Sequence, residues 1–336
     1  MARLYRLATK SLQLAALLIT VFVTVTLLTS TNETQPDSSK SDVNSNDAES
    51  LHFLPPRGGD EGGGRVLCWV LTSPERHHLR AWPVKQTWAS HCDHHVFMST
   101  RADEKLGAVR LQVSEGYELL WGKTKAALQY LYHHHLHHAE WFLKADDDTF
   151  VVVENLRYML QPYDPRLPLY FGKKFKSANI SQGFMGGGAG YVLSREAVRR
   201  VVEQGFTNST LCTAGHRGRE DLQLGACLAA VGVMAADSRD HLGRDRFLSF
   251  TPETLLSPGG VTAKGHAWFW NLVYYPTREG PGCCSDTAVT FHYVSPTMMR
   301  SLHYLLYTLR LASPSDPPPP RPPDDAASVN KQEKTS

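Results

Sequence analysis

The sequence predicts an α/β fold built on a mostly parallel sheet with helices on both faces. Short apolar runs such as "RVLCWVLTS" (65–73) and "WFLKA" (141–145) are typical of buried strands, and they alternate with segments of helical periodicity. Such alternation favours parallel pairing, because crossover helices connect successive strands. The chain has 336 residues and is 42% hydrophobic, which allows one large domain with appendages or two small ones.

The other elements follow from the same patterns, and no internal repeat is visible among them. Proline and glycine mark the interruptions, and aliphatic spacing marks the helix faces. In chain order we predict a helix at 75–90 interrupted by Pro83, a strand at 94–100, a helix at 121–138, a strand or helix start at 149–160, a strand at 169–175, a turn–strand–helix unit at 186–205 and a helix at 222–233.

The N-terminal segment predicts a membrane anchor. No charged residue lies between Ser11 and Asn32, and residues 12–28 are mostly aliphatic with scattered threonine. This length is at the short end of the roughly 17–25 residues that span a bilayer. Basic residues precede the run and acidic residues follow it, which favours a cytoplasmic N-terminus and a lumenal body. We therefore predict a cytoplasmic tail at 1–10 and a signal anchor at 11–30, in preference to a cleaved signal peptide.

Low-complexity segments bound the predicted folded body. Residues 31–64 end in "RGGDEGGG" and cannot bury enough apolar surface to offset the entropy of ordering, and a proline-rich stretch follows Asp316. We therefore predict a flexible stem at 31–64, one folded domain at 65–312 and a disordered tail at 313–336. The formal net charge of +2 gives no reason to expect a nucleic-acid partner.

Two further features fit a lumenal body. Asn179 and Asn208 each begin an Asn-X-Ser/Thr tripeptide, the acceptor signal for N-glycosylation, whereas a third tripeptide at Asn32 lies close to the predicted anchor. The chain has six cysteines, an even number that fits an oxidising compartment, although buried free thiols are the alternative. Six cysteines allow 15 pairings. Proximity along the chain favours Cys68–Cys92, Cys212–Cys227 and Cys283–Cys284.

Three consecutive aspartates, Asp146, Asp147 and Asp148, follow the strand predicted at 141–145. An Asx turn or a helix cap uses one or two such residues, and a calcium site normally collects more oxygens over a longer loop. A D-x-D pair at the carboxyl end of a buried strand instead indicates a hard cation that bridges carboxylate and phosphate oxygens. The pattern therefore predicts a divalent metal that carries a nucleotide diphosphate.

Other candidate residues have a structural and a functional interpretation. Glu220 and Asp221 begin a predicted helix, where carboxylates are usually caps, yet a carboxylate can also serve as a general base. The aromatic run at 267–276 is more often core, yet tryptophan faces also stack on sugars. His292 follows a strand-like segment and can be structural or a metal ligand. The histidines at 132–138 are predicted to cover an exposed helix face and are given no catalytic role.

Several segments together resemble the core 1 β1,3-galactosyltransferases, which are related more distantly to the fringe glycosyltransferases. The similarity runs through nearly the whole body in the same order. It is carried by "WVLTSPERHH", "VKQTWASHC", "WFLKADDDTFVVVENLRYML", "GGGAGYVLS", "EDLQLGACL", "DSRD" and "EGPGCCSDTAVTFHYV".

The resemblance implies a GT-A fold, a single-pass type II protein of the Golgi membrane, UDP-galactose as donor, glycoproteins bearing N-acetylgalactosamine (GalNAc) as acceptors and Mn²⁺ as cofactor. It leaves open a homodimer and the need for a dedicated chaperone. The positions carried over are Asp146, Asp148 and His292 for the metal, Asp221 for the base in place of a helix cap, Trp268 and Tyr293 for the acceptor, and Thr72, Lys144, Asp146 and Asp147 for the donor.

The chain departs from the family pattern in places, and rival functions follow. It has Gly122 where an aromatic is usual and Gly186 where serine is usual, and residues 254–266 differ in length and composition. These departures bear on the acceptor preference. The rivals are a non-catalytic chaperone-like paralogue and a related β1,3-glycosyltransferase with another donor or acceptor. Retention of the aspartates and of His292 favours an enzyme.

Overall fold

The structure is a computed structural model, and it describes residues 64–313. The predicted cytoplasmic tail, the anchor at 11–30, the stem up to residue 63 and all but the first residue of the tail at 313–336 lie outside these residues. Between 64 and 313, no helix combines the length and the apolar character needed to cross a membrane.

The strands are short. Those at 66–71, 94–99, 141–146, 150–151 and 169–172 begin within a residue of the predicted positions, whereas those at 108–110, 184–185, 234–235 and 247–248 were not predicted. In the described part of the chain the strands are β1 Val66–Leu71, β2 His94–Ser99, β3 Ala108–Arg110, β4 Trp141–Asp146, β5 Phe150–Val151, β6 Leu169–Gly172, β7 Lys174–Phe175, β8 Phe184–Met185, β9 Tyr191–Ser194, β10 Met234–Ala235, β11 Phe247–Leu248 and β12 Thr290–Phe291.

The α-helices are α1 Trp82–Gln86, α2 Leu120–His135, α3 Val153–Leu160, α4 Arg195–Arg200, α5 Glu220–Ala230, α6 Pro252–Leu256, α7 Gly260–Ala263, α8 Trp268–Leu272 and α9 Pro296–Tyr307. Short 3₁₀ segments lie at Pro74–Arg76, Trp88–His91 and Tyr117–Leu119, and π-helical turns lie at His77–Ala81 and Val201–Gly205.

Seven strands form the central sheet, in the order β10-β6-β9-β4-β1-β2-β3. β1 pairs in parallel with both β2 and β4, whereas β9 runs antiparallel to both of its neighbours, β4 and β6. The α/β class and the mostly parallel sheet are therefore confirmed. The one reversed strand was not foreseen, because its apolar pattern is the same in either direction.

Both faces of the sheet are buried, which explains the unbroken apolar runs. Val66, Cys68 and Val70 of β1 belong to one hydrophobic cluster, and the alternate residues Leu67 and Trp69 belong to another on the opposite face. A third cluster lies beyond the sheet and contains Phe175, Phe250 and Phe269, among others. The helix α8 lies within the aromatic run at 267–276, and its residue Phe269 belongs to this third cluster.

Two predicted elements are broken. The helix predicted at 75–90 is a succession of 3₁₀, π and α turns that ends where Thr87 leaves helical geometry, at φ −120° and ψ −111°. The strand predicted at 169–175 divides at Lys173, because the carbonyl of Lys173 accepts from the amide of Gly186 rather than from a neighbouring strand of the main sheet. The second interruption is decided by the contact with Gly186, which residues 169–175 alone do not encode.

The three predicted disulfides are all present: Cys68–Cys92, Cys212–Cys227 and Cys283–Cys284. The first joins β1 to the segment that precedes β2, and the second joins α5 to the loop before it. The third links adjacent residues next to the third hydrophobic cluster. No cysteine is free within the described residues.

We predict that the free energy of unfolding of the Cys68→Ala/Cys92→Ala variant is about 3 kcal/mol lower than that of the unchanged chain. The reason is that this disulfide closes a loop with a sequence separation of 24. The Cys283→Ala/Cys284→Ala variant is the matched control, because a separation of 1 closes almost no loop. Chemical denaturation of both variants measures the difference. Equal losses of stability would show that packing, and not loop closure, sets the contribution.

Candidate active site

The three consecutive aspartates form a tight turn between β4 and β5. β4 ends at Asp146, and the amide of Thr149 donates to the carbonyl of Asp146 at 3.1 Å. The hydroxyl of Thr149 donates to the carbonyl of Gly188 at 2.9 Å, which fixes the turn against the glycine-rich segment before β9. Asp146 lies in register with Leu71, the last residue of β1. The turn therefore lies at the carboxyl ends of the central parallel strands, where it was predicted.

Asp146, Asp148 and His292 converge on one point. One ligand atom from each of them lies within 4.8 Å of the others, and His292 Nε2 is 3.4 Å from Asp148 Oδ1. His292 follows β12, which pairs antiparallel with β5, and the amide of Val294 donates to the carbonyl of Asp148 at 2.8 Å. This small sheet therefore brings the imidazole to the acidic turn although the two are far apart in sequence.

The chemistry of these donors fits a divalent cation. Two carboxylates and one imidazole form a mixed oxygen and nitrogen set of the kind that first-row divalent ions accept. It is the one cluster of three or more such side chains with converging ligand atoms that we find in residues 64–313. Three protein ligands also leave coordination positions for other oxygens, as a metal that binds a phosphate requires.

Cationic side chains flank both carboxylates. Arg80 Nη1 donates to Asp148 Oδ2 at 2.9 Å, and Lys144 Nζ donates to Asp146 Oδ1 at 2.7 Å. Burial alone would raise the pKa of Asp148, but the hydrogen bond and charge of His292, together with Arg80, outweigh it and lower the pKa. Asp148 is therefore ionised at neutral pH, which is the state that metal binding requires.

The middle aspartate faces away from the cluster. Asp147 is 2% exposed, and Thr72 Oγ1 donates to its Oδ2 at 2.8 Å. Burial raises the pKa of Asp147 to about 6, although the Thr72 hydrogen bond and the charge of Arg76 oppose the rise. Asp147 thus attaches the turn to the end of β1. The predicted contact of Thr72 and Asp147 with the donor stays a prediction.

Lys144 is the buried cation beneath the cluster. It is 2% exposed, and besides Asp146 it donates to the carbonyl of Gly187 at 2.9 Å. Burial would lower the pKa of Lys144, but the charges of Asp146 and Glu220 raise it. Lys144 therefore remains protonated and connects the acidic turn to the glycine-rich segment. Its predicted donor contact is likewise untested.

Two adjacent glycines connect the two halves of the site. A Cβ on Gly188 would overlap the ring of His292, and a Cβ on Gly187 would lie 2.8 Å from Glu220 Oε2 and 3.7 Å from Asp221 Cβ. Gly188 thus lies against the candidate metal ligand His292, and Gly187 lies against Glu220 and Asp221 at the start of α5. The sequence predicted only a close turn here, and these contacts explain why neither position has room for a side chain.

The two acids that begin α5 have different surroundings. Glu220 is 8% exposed, and its Oε1 accepts from Tyr191 Oη at 2.8 Å and from Thr124 Oγ1 at 3.0 Å. Burial raises the pKa of Glu220, and Lys144 opposes the rise. The side chain of Asp221 is 22% exposed, and its Oδ1 accepts from the amide of Leu222 at 2.8 Å. Glu220 is thus a structural acid, and Asp221 is the one that solvent reaches.

Exposed aromatic rings continue from the candidate metal ligand His292 through Tyr293 and His266 to Trp268. Trp268 and Tyr293 are 46% and 49% exposed, and the ring of His266 lies between 5 and 7 Å from each: 5.7 Å from Tyr293 and 6.3 Å from Trp268. Tyr293 follows the candidate ligand His292, with ring centroids 3.9 Å apart. Exposed rings of this kind can stack on the C–H faces of a sugar. The predicted acceptor role of Trp268 and Tyr293 stays a prediction.

Sequence reasoning missed Arg80, His266 and the separate contacts of Gly187 and Gly188. Arg80 lies in a segment predicted to be an ordinary helix, and nothing local distinguishes it from other surface arginines. His266 lies beside the aromatic run but outside it. The run of three glycines was the one available signal for the close contacts at 187 and 188.

The predicted surface features are compatible with the structure. Asn179 and Asn208 are both exposed, as N-glycosylation requires, and their modification stays a prediction. The histidines within 133–138 form ring contacts with one another and with neighbouring tyrosines, and among the described residues they provide no converging set of three ligand atoms.

Fold and site together define an α/β protein with a candidate metal centre at the carboxyl ends of its parallel strands, which is where such sheets bind their ligands. The sequence profile of a family described as Fringe-like matches residues 64–279. The chain belongs to this Fringe-like family.

Individual relatives agree with this membership. The chain is 45% identical over 249 residues to the glycoprotein-N-acetylgalactosamine 3-beta-galactosyltransferase 1 of Xenopus laevis, a match that covers 73% of this chain and 67% of the relative. It is 29% identical over 206 residues to a beta-1,3-glucosyltransferase of Mus musculus, covering 60% of this chain and 41% of that protein. A solved galactosyltransferase with donor and acceptor sugar analogues is a distant match, with a TM-score of 0.40 at 12% identity, covering 73% of this chain and 97% of that one.

Proposed function

We propose that this protein is an inverting glycosyltransferase that transfers galactose from UDP-galactose to the 3-hydroxyl of GalNAc O-linked to glycoproteins. The observation that carries the proposal is the convergence of Asp146, Asp148 and His292 at the carboxyl edge of the sheet. The 45% identity to a protein named for this reaction supports the choice of donor and acceptor. The mixed sheet and the family membership support a fold of the GT-A type.

On the donor side, Asp146, Asp148 and His292 would hold a divalent cation, which we propose is Mn²⁺. When bound, such a cation acts as a Lewis acid that stabilises negative charge on a departing diphosphate. Lys144 and Arg80 hold the two carboxylates in place through the hydrogen bonds described above. The protein therefore positions its ligands before the nucleotide arrives.

On the acceptor side, Asp221 is the general base. Its carboxylate accepts the proton of the GalNAc 3-hydroxyl while the oxygen attacks C1 of galactose, and the bond from C1 to the UDP oxygen breaks. In-line displacement converts the α-glycoside of the donor into a β linkage, so no covalent sugar–enzyme intermediate forms. Trp268 and Tyr293 hold the acceptor sugar against Asp221, which converts a bimolecular encounter into a positioned one.

We further propose a type II orientation in the Golgi membrane, with residues 11–30 as the anchor and the folded domain in the lumen. Three disulfides and two exposed glycosylation tripeptides support an oxidising, secretory compartment. Tryptic protection of intact microsomes, followed by glycosidase treatment, tests this orientation. Cleavage of the folded domain without detergent would contradict it.

A transfer assay tests the proposed function directly. The full chain is incubated with Mn²⁺, a GalNAc-α-glycopeptide and, in separate reactions, UDP-galactose, UDP-glucose or UDP-N-acetylglucosamine. We expect transfer from UDP-galactose alone, and release of the product by a β1,3-specific galactosidase. Preference for UDP-glucose would favour the activity named for the mouse relative. Absence of transfer by correctly folded protein would favour the non-catalytic, chaperone-like alternative.

We predict that Asp148→Asn abolishes transfer and removes the dependence of UDP binding on Mn²⁺. Loss of a metal ligand should weaken metal affinity by at least the 10- to 100-fold that loss of an outer-shell partner costs. Isothermal titration with and without Mn²⁺ measures this effect. Asp164→Asn is the matched control, because Asp164 also pairs with an arginine, Arg166, but lies outside the cluster. Equal Mn²⁺ dependence in both variants would remove Asp148 from the ligand set.

A further inference from the structure

A cavity of about 320 Å³ opens beside Tyr293, on the acceptor side of the site. We call it the rim pocket. Its volume lies at the small end of the range typical of ligand sites, about 300–1,000 Å³, so it suits one or two side chains or a single sugar ring. Its principal lining residues are Phe250, Glu253, Lys264, His266, Tyr293 and Met298.

Three rings build one wall of the rim pocket. His266 and Tyr293 lie nearly parallel, with an interplanar angle of 10° and centroids 5.7 Å apart, and Phe250 lies 4.9 Å from His266. Tyr293 has φ +59°, the one positive φ of a non-glycine residue between 64 and 313. Such a backbone is intrinsically unfavourable for a bulky residue and persists where the surroundings impose it, often at ligand sites. The orientation of Tyr293 is therefore held against an intrinsic cost.

The rim pocket adjoins the acceptor sugar but does not contain the reacting centre. Tyr293 lines it, whereas Asp221, Trp268 and His292 do not. An acceptor hydroxyl must reach Asp221 in order to lose its proton, so the sugar that reacts cannot lie wholly inside this cavity. The cavity is therefore placed to receive the part of the acceptor next to that sugar.

Opposite charges stand at the opening of the rim pocket. Glu253 lies in the first turn of α6 and Lys264 caps the C-terminus of α7, and both side chains are exposed. Neither forms an ion pair with any residue of the described chain. The charges thus remain available to an incoming ligand.

We propose that the rim pocket is a subsite for the polypeptide that bears the acceptor sugar, and that it selects peptides with a basic residue for Glu253 and an acidic residue for Lys264 close to the glycosylated position. The proposal rests on the proposed function, since it assumes a GalNAc-bearing glycoprotein as acceptor. The aromatic wall supplies apolar contact for the intervening peptide, and the two charges fix the direction in which the peptide chain runs. Glu253 and Lys264 would thus determine acceptor specificity without touching the reacting atoms.

The test compares acceptors with and without a peptide on the full chain. The acceptors are GalNAc-α-methyl, a neutral GalNAc-α-glycopeptide, and the same glycopeptide with one lysine and one glutamate flanking the sugar. We expect the charged glycopeptide to have the lowest KM. Glu253→Gln and Lys264→Met should each raise that KM about two- to fivefold, the range for exposed ion pairs, and leave the KM for GalNAc-α-methyl unchanged.

Charge reversal sharpens the test. Glu253→Lys/Lys264→Glu should reverse the preference between two glycopeptides that carry the same charges in opposite order. Glu104→Gln/Lys105→Met, on the exposed loop between β2 and β3, is the matched control and should change nothing.

Two outcomes overturn the proposal without touching the proposed function: unchanged KM values for every glycopeptide, or equal changes for the glycopeptides and GalNAc-α-methyl. Failure of the unchanged chain to galactosylate any acceptor would instead defeat the proposed function itself. Transfer to GalNAc-α-methyl also confirms that each variant is folded, so a loss confined to peptide acceptors is attributable to the rim pocket.

Discussion

Asp221→Asn is expected to lower kcat for galactosyl transfer about 10²- to 10⁴-fold, the usual contribution of a general base. Asparagine keeps the shape of the side chain and its hydrogen bond to the amide of Leu222, but it cannot accept the acceptor proton. UDP affinity in the presence of Mn²⁺ should remain unchanged, because Asp221 lies outside the cluster of Asp146, Asp148 and His292. Steady-state kinetics and equilibrium UDP binding measure the two quantities separately.

The contrast with Glu220 makes this prediction specific. Glu220→Gln removes the adjacent carboxylate, which is buried and bonded to Tyr191 and Thr124, and it should lower stability without selectively removing turnover. If Asp221→Asn keeps kcat within a few-fold of the unchanged chain, then Asp221 is a helix-cap residue, as the sequence alone first favoured. A loss of UDP binding in Asp221→Asn would also contradict the separation of the two sides.

Gly188→Ala is expected to lower transfer by at least about 10²-fold, the cost of misplacing a catalytic group by about 1 Å. The added Cβ would overlap the ring of His292. The backbone of Gly188 cannot easily withdraw, because its carbonyl accepts from Thr149 Oγ1 at 2.9 Å within the acidic turn. The imidazole must therefore leave its position 3.4 Å from Asp148, and Mn²⁺ affinity should fall together with transfer. Titration of Mn²⁺ against UDP binding, together with the transfer rate, measures both effects.

A double-mutant cycle isolates the cause. In a His292→Ala background the ring is absent, so Gly188→Ala should add little further loss. Gly282→Ala is the matched control, because a Cβ there meets nothing within 4 Å and the residue is exposed. Additive losses in the cycle would mean that Gly188 acts through something other than the imidazole.

The sequence was most informative where local pattern decides the structure. The unbroken apolar runs of β1 and β4 identified the central strands, and the position of Asp146 to Asp148 after β4 located the site. Parallel strands collect their carboxyl ends at one edge of a sheet, so that location followed from the fold class alone. The disulfides were predictable for a similar reason, since each pair is close along the chain.

Non-local contacts decided what could not be predicted. The direction of β9 depends on pairing with β4 and β6, which its own residues do not encode. Residue-level reasoning left His292 undecided between a structural and a metal-binding role, and only the pairing of β12 with β5 brings it to Asp148. Likewise, nothing near Asp147 in sequence shows that its side chain accepts a hydrogen bond from Thr72. The sequence therefore does not distinguish Asp147 from Asp146 and Asp148, whose carboxylates converge on His292.

The adjacency of His292 and Tyr293 has a consequence for how this protein can diversify. His292 belongs to the cluster with Asp146 and Asp148, and Tyr293 lines the rim pocket, so one insertion or deletion at this point would displace both side chains. The stretch 254–266 lies outside the central sheet and carries Lys264 and His266. Substitutions in that stretch can therefore alter the lining of the rim pocket while the cluster of Asp146, Asp148 and His292 keeps its geometry.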